Sequence, residues 1–318
     1  MRQRQERLGL AFAALCALNG AFVPAVAKLT TARADPLLVA TATSAVAGVC
    51  ALLLLTATGE LRHLADRRTA PRLVAIGALG TALAHLLFYA GARRTTAIET
   101  VLCLQVESAY ALFLARLFLG HPLTPRRLGA VAAILAGIAL ALNPSGVSGW
   151  LGVALLLATP LGWQTSHLIV LRGLGDVPPR ALAGARYLFG GAILAAVWTA
   201  SGGIDRLPPP TELRSLVPIL VAQGALLSFV GTLFWYETIT RLDLARSTAI
   251  VVPSVPLLSL GASFALLGEV AQPRQWLGLL LTAAGVLAFV TAPHSTAPDL
   301  PLGDREPPIA ATDSEPAG

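Results

Sequence analysis

Glu107 stands in the run VLCLQVESAYALFL, with apolar residues on both sides. An ionisable group in such a run costs about 2.5–3.5 kcal/mol to insert into a bilayer, so it marks an interior face or a pathway. At helical spacing Thr100, Cys103, Glu107 and Tyr110 share one face. That face suits a carboxylate that binds a substrate amine or exchanges a proton; the alternative is an acid neutralised against another helix. Gln105 points nearly opposite, since two residues turn a helix by about 200°, and reads as interhelical contact. Trp163 and Gln164 follow Pro160 and Gly162, and Asn19 and Gly20 precede Pro24. A Pro/Gly interruption frees backbone groups to line a cavity, where a ring and an amide suit an organic solute. His85 and His167 lie deep in apolar runs, and imidazole titrates near neutral pH. Both are candidates for proton coupling beside Glu107, with packing as the alternative. Arg186 is a candidate partner for a substrate carboxylate, or else pairs with an acid or reaches an interface. The substrate set is therefore Asn19, Glu107, Tyr110, Trp163, Gln164 and Arg186. Pro253 and Pro256 bend their helix, either as a gating hinge or as a fixed kink. Glu99, Glu237 and Glu269 lie near helix ends, where solvation or structural ion pairs are expected.

Other chemistry is excluded by pattern. The chain has no G-x-x-x-x-G-K-[ST], no paired-histidine metalloenzyme spacing and no Ser/His/Asp signature. Cys16, Cys50 and Cys103 sit inside apolar runs at no metal or redox spacing and read as packing residues. No cofactor and no metal is expected, and energy would come from solute, proton or ion gradients.

The elements that must hold these residues follow from composition. Of 318 residues, 55% are hydrophobic and 13% charged, against roughly a quarter charged in soluble domains. Apolar runs of about 17–21 residues match a bilayer core of roughly 30 Å. Ten spans are expected, at about 8–28, 36–57, 72–91, 96–118, 127–142, 150–170, 181–200, 215–236, 246–267 and 275–292. The fold class is therefore all-α, a polytopic membrane bundle. Net charge is +6, with Lys28 the one lysine. The arginines flank apolar runs rather than forming one patch, so the partner is the lipid bilayer and no nucleic acid is expected. With the N-terminus inside, fourteen loop arginines face the cytoplasm against six outside, which places both termini in the cytoplasm. The start resembles a signal peptide with Ala25-Val26-Ala27 as a cleavage site. Cleavage is not expected, because it would delete the partner of the sixth span.

That partnership comes from a repeat. The stretch from Phe234 to Val290 matches the stretch from Phe88 to Leu142, with Tyr89 on Tyr236, Gly120 on Gly268 and Gly129 on Gly278. Five spans per half is an odd number, so the second half enters the membrane inverted. Inverted repeats with a site near the midplane are a transporter plan. The expected division is residues 1–142, residues 143–292 and a disordered cytoplasmic tail at 293–318, rich in Pro, Asp, Glu and Thr.

Pro253, Pro256, Gly268-Glu269 and Gly278, with Arg186 near the start of the seventh span, resemble the EamA family of the drug/metabolite transporter superfamily. The resemblance covers nearly the whole chain. The first half departs from it: Gln105 and Ser108 stand for the two prolines, His121 for the Glu, and Thr43 for Arg186. What it implies is a secondary transporter of the inner (plasma) membrane that exports small metabolites such as amino acids by alternating access without ATP. The alternative is an integral membrane enzyme acting on a lipid or isoprenoid.

Overall fold

A computed structural model describes residues 2–120, 123–242 and 244–291. Among these the elements are helices throughout. The first span is α1 (Arg2–Thr31), which runs through Pro24 without a break. Next comes α2 (Pro36–Thr58). Asp35 caps it, its carboxylate accepting from Leu37 N at 3.0 Å, and it stops at Gly59, where φ is 69°. The third span is composite: α3 (Ala70–Gly77), a π-helical turn (Ala78–Leu83) and α4 (Ala84–Arg94). The fourth is broken into α5 (Ala97–Leu104) and α6 (Glu107–Leu119). After α7 (Pro125–Ala141) come α8 (Gly146–Gly173), unbroken through Pro160, and α9 (Pro179–Ala200). The eighth span repeats the composite form of the third: α10 (Pro210–Ala222), a π-helical turn (Gln223–Val230) and α11 (Gly231–Arg241). The chain then runs through α12 (Leu244–Leu267) and α13 (Pro273–Val290).

Nine helical stretches among the described residues are long and apolar enough to cross a membrane. The remaining expected span, the fifth, is α7, and at 17 residues it reaches about 26 Å, short of a core of roughly 30 Å. It packs along α13, backbone against backbone. A Cβ on Gly137 would meet the Gly278 carbonyl at 2.6 Å, and one on Gly285 the Ala130 carbonyl at 2.8 Å. Small residues permit that approach. Gly129, the repeat counterpart of Gly278, has nothing within 4 Å of a Cβ built on it.

The two halves complete one another. Helix α1 packs on α11 and α12, α8 packs on α4, α5 and α6, and α2 lies against α9. The largest core cluster draws Leu38, Phe88, Leu156, Leu194 and Leu216 from α2, α4, α8, α9 and α10. The outer surface is apolar instead of polar: Leu53 and Phe264 are each 64% exposed, as lipid-facing residues are.

The interruptions expected at Pro24 and Pro160 are absent from α1 and α8. A single proline removes one helical bond and its neighbours absorb the loss. The helical pattern changes instead in the third, fourth and eighth spans. The tail at 293–318 and His121 lie outside the described residues.

Candidate functional site

The break in the fourth span sets the site. Between α5 and α6 the backbone tightens to three-residue spacing, with Val106 N donating to Cys103 O at 3.2 Å and Ala109 N to Val106 O at 2.9 Å. Glu107 thereby falls in the first turn of α6, where the helix dipole favours a carboxylate. Gln164 Nε2 on α8 donates to Glu107 Oε1 at 2.7 Å. The break also splits the face expected of a continuous helix. Thr100 is buried on α5 and its hydroxyl meets that of Thr95 at 3.0 Å. Tyr110 packs against the cluster that α6 forms with α7 and α13, which holds Val131, Ile134 and Val286. Gln105 donates to Val101 O of its own helix at 3.3 Å, so its amide serves the break rather than a neighbouring helix.

Arg186 enters from α9. Its Nη2 donates to the carbonyl of Gly80 in the first π-turn at 2.8 Å. The guanidinium lies within electrostatic reach of Glu107, His85 and His167. Yet Arg186 and Glu107 form no ion pair within 4.0 Å, unlike Arg180 with Glu60 and Arg241 with Glu237. Both side chains are half-buried, as are Trp163, Gln164 and His85. Glu107 and Arg186 are thus two half-buried ionisable groups with no ion pair between them. His85 Nδ1 lies 2.9 Å from Ser44 Oγ, and its ring meets Tyr89 edge-on at 5.8 Å. His167 is exposed and lies farther along α8. Asn19 joins the second π-turn, its Nδ2 donating to Leu226 O at 2.9 Å.

Beside this group runs a buried polar chain that sequence reasoning missed. Thr43 Oγ1 donates to Tyr89 Oη at 3.3 Å, Gln223 Nε2 donates to the same oxygen at 3.2 Å, and Thr30 Oγ1 donates to Gln223 Oε1 at 3.2 Å. It ties α1, α2, α4 and the second π-turn together. Gln223 inside an apolar run was its one visible signal. Tyr187 Oη, also unforeseen, meets Ser228 O at 3.0 Å.

At one end of the bundle Glu269 crosses between the halves. Its two carboxylate oxygens each accept from Ala97 N at 3.0 Å, and one accepts from Ile98 N at 3.2 Å. It is a helix cap, neither free nor ion-paired. Glu99 closes a capping box with Thr96 and also accepts from Asn143 N at 3.2 Å. Glu237 forms an ion pair with Arg241, as expected of it. Pro253 and Pro256 lie within the unbroken α12. Among the described residues no three His, Cys, Asp or Glu side chains gather to hold a metal.

Comparison with known proteins places this geometry. The EamA-like transporter family matches the chain twice, over residues 7–143 and 150–291. A probable terminal-alkyne amino-acid exporter of Streptantibioticus cattleyicolor is 27% identical over 248 residues, which span 75% of this chain and 80% of that one. The uncharacterized inner membrane transporter YedA of Escherichia coli K12 is 30% identical over 134 residues, 42% of this chain and 41% of its own. A solved crystal structure superposes with a TM-score of 0.61 at 17% identity, covering 91% of this chain and 96% of that one; it shares the fold.

Proposed function

We propose, from the premise that the chain belongs to the EamA-like transporter family, that it is a multi-pass inner-membrane secondary transporter exporting amino acids or similar small metabolites. The observation that supports this reading is that Glu107 and Arg186 are both half-buried within the bundle with no ion pair between them. A zwitterion offers an ammonium to Glu107 and a carboxylate to Arg186, and an apolar side chain to Trp163. Gln164 and Asn19 supply further polar contacts, and Tyr110 completes the wall through its packing. Transport proceeds by alternating access of inverted halves, with α12 flexing at Pro253 and Pro256. Glu107 exchanges the coupling proton, with His85 and His167 on its path. Residues 1–142 and 143–292 are the two repeats, 293–318 is a tail, and both termini are cytoplasmic. The solute leaves chemically unchanged, so the chain is not an enzyme.

The test is counterflow of labelled L-amino acids in liposomes carrying the purified protein, under an imposed pH gradient. Uptake above empty liposomes is expected, with a pH response that Glu107→Gln removes. Absence of flux for every amino acid would overturn the solute class. An unchanged pH profile in Glu107→Gln would overturn the coupling role.

A further inference from the structure

The two π-turns occupy the same place in the two repeats. The register that sets Tyr89 on Tyr236 lays the turn at 78–83 over 225–230. Their hydrogen bonds agree to the residue. Ala84 N–H is shared between Leu79 O and Thr81 O, and so passes over Gly80. Gly231 N–H is shared between Leu226 O and Ser228 O, and so passes over Leu227. A carbonyl passed over in this way is open to a donor from elsewhere. At Gly80 that donor is Arg186.

The repeats differ at this point in a paired way. Where the facing helix α9 carries Arg186, the skipped residue is a glycine. Where the corresponding helix α2 carries Thr43, the skipped residue is Leu227. The space explains the glycine. A Cβ on Gly80 would stand 2.5 Å from Ser166 Oγ, 2.8 Å from Ser166 Cβ and 3.3 Å from Arg186 Nε. Any side chain there would drive α8 from the turn and press on the guanidinium.

From this pairing we propose that Gly80 is a positioning residue: the first π-turn releases its carbonyl, and that carbonyl aims Arg186 at the group containing Glu107. The inference rests on the reading of Arg186 as a solute-binding residue. The second π-turn receives neutral donors instead, Asn19 on Leu226 O and Tyr187 on Ser228 O, the two carbonyls that flank the skipped Leu227. Recognition of a negative group is thus confined to one repeat of an otherwise symmetric pair.

Two measurements test it in detergent-purified, full-length protein. The first needs no solute. Phenylglyoxal modifies guanidinium groups, and peptide mass spectrometry follows Arg186 alone. Gly80→Ala is expected to change the Arg186 modification rate about tenfold, the equivalent of one lost hydrogen bond to a charged group, with the other arginines unaffected. The second is transport in liposomes of the L-amino acid that the wild-type protein carries fastest. Gly80→Ala is expected to raise KM about tenfold with Vmax little changed. In an Arg186→Ala background it should add nothing further. Ser166→Gly clears the contact with α8, so Gly80→Ala/Ser166→Gly carries the same comparisons should the single variant fail to fold. An unaltered Arg186 modification rate, or a KM effect of the same size with and without Arg186, would overturn the positioning role. Arg186→Ala leaving KM unchanged would overturn the reading of Arg186 as a solute contact and leave the modification result standing by itself.

Discussion

Glu269→Ala should loosen the junction between the repeats, and its cost follows from the amides at the start of α5. Thr96 N is taken by Glu99 Oε2 and Glu99 N by Thr96 Oγ1. Thr100 N already bonds Thr96 O. The two remaining amides, Ala97 N and Ile98 N, are both taken by Glu269. Ala97 is 0% exposed and Ile98 3%, so water does not replace the lost carboxylate. Two charge-assisted hydrogen bonds of about 1.5 kcal/mol or more each, and two buried donors left without acceptors, give a loss of roughly 2–4 kcal/mol. Thermal unfolding in detergent should fall by roughly 5–10 °C. Glu269→Gln keeps an acceptor oxygen and loses the charge, so it should fall between the two. Because the cap joins α12 to α5 across the repeats, Glu269→Ala should also expose Ala97→Cys to an aqueous maleimide in a chain freed of its native cysteines. An unfolding temperature within 1–2 °C of wild type, about 0.5 kcal/mol on the same scale, would refute the accounting.

Two further outcomes follow from the packing. Tyr89→Phe removes the oxygen shared by Thr43 and Gln223 and strands a buried amide; it should cost about 1–3 kcal/mol, read as a lower unfolding temperature that Tyr89→Phe/Gln223→Leu partly recovers. Gly137→Leu drives a side chain into the backbone of α13 and should destabilise by about 3 kcal/mol or more, whereas Gly129→Leu, facing open space, should change the unfolding temperature little.

The candidate side chains were legible in part, and there is a physical reason for which ones were. Glu107, Gln164, Arg186, His85 and Asn19 announced themselves because a polar group in an apolar run needs a cause. Their partners stayed hidden. Asn19 bonds a carbonyl 207 residues away and Arg186 one 106 residues away. Backbone carbonyls carry no signal in a sequence. Thr100 and Cys103 were placed on the face of Glu107 by assuming one continuous helix, and the tightened turn at Gln105 and Val106 leaves them on α5 while Glu107 and Tyr110 share α6. The π-turns were missed because one extra residue in an apolar run leaves hydropathy unchanged.

The lengths and spacing of the apolar runs determined by themselves that this chain is an all-helical membrane bundle made of two related halves. They did so because lipid accepts only backbones that satisfy their own hydrogen bonds, and that demand is written in every run. What only the tertiary structure decided is where regular helix gives way: at Gly80, at Gln105 and in the turn from Gln223 to Val230. At Gly80 and in the second turn the donor arrives from another helix, and no local stretch of sequence specifies which side chain will stand opposite it.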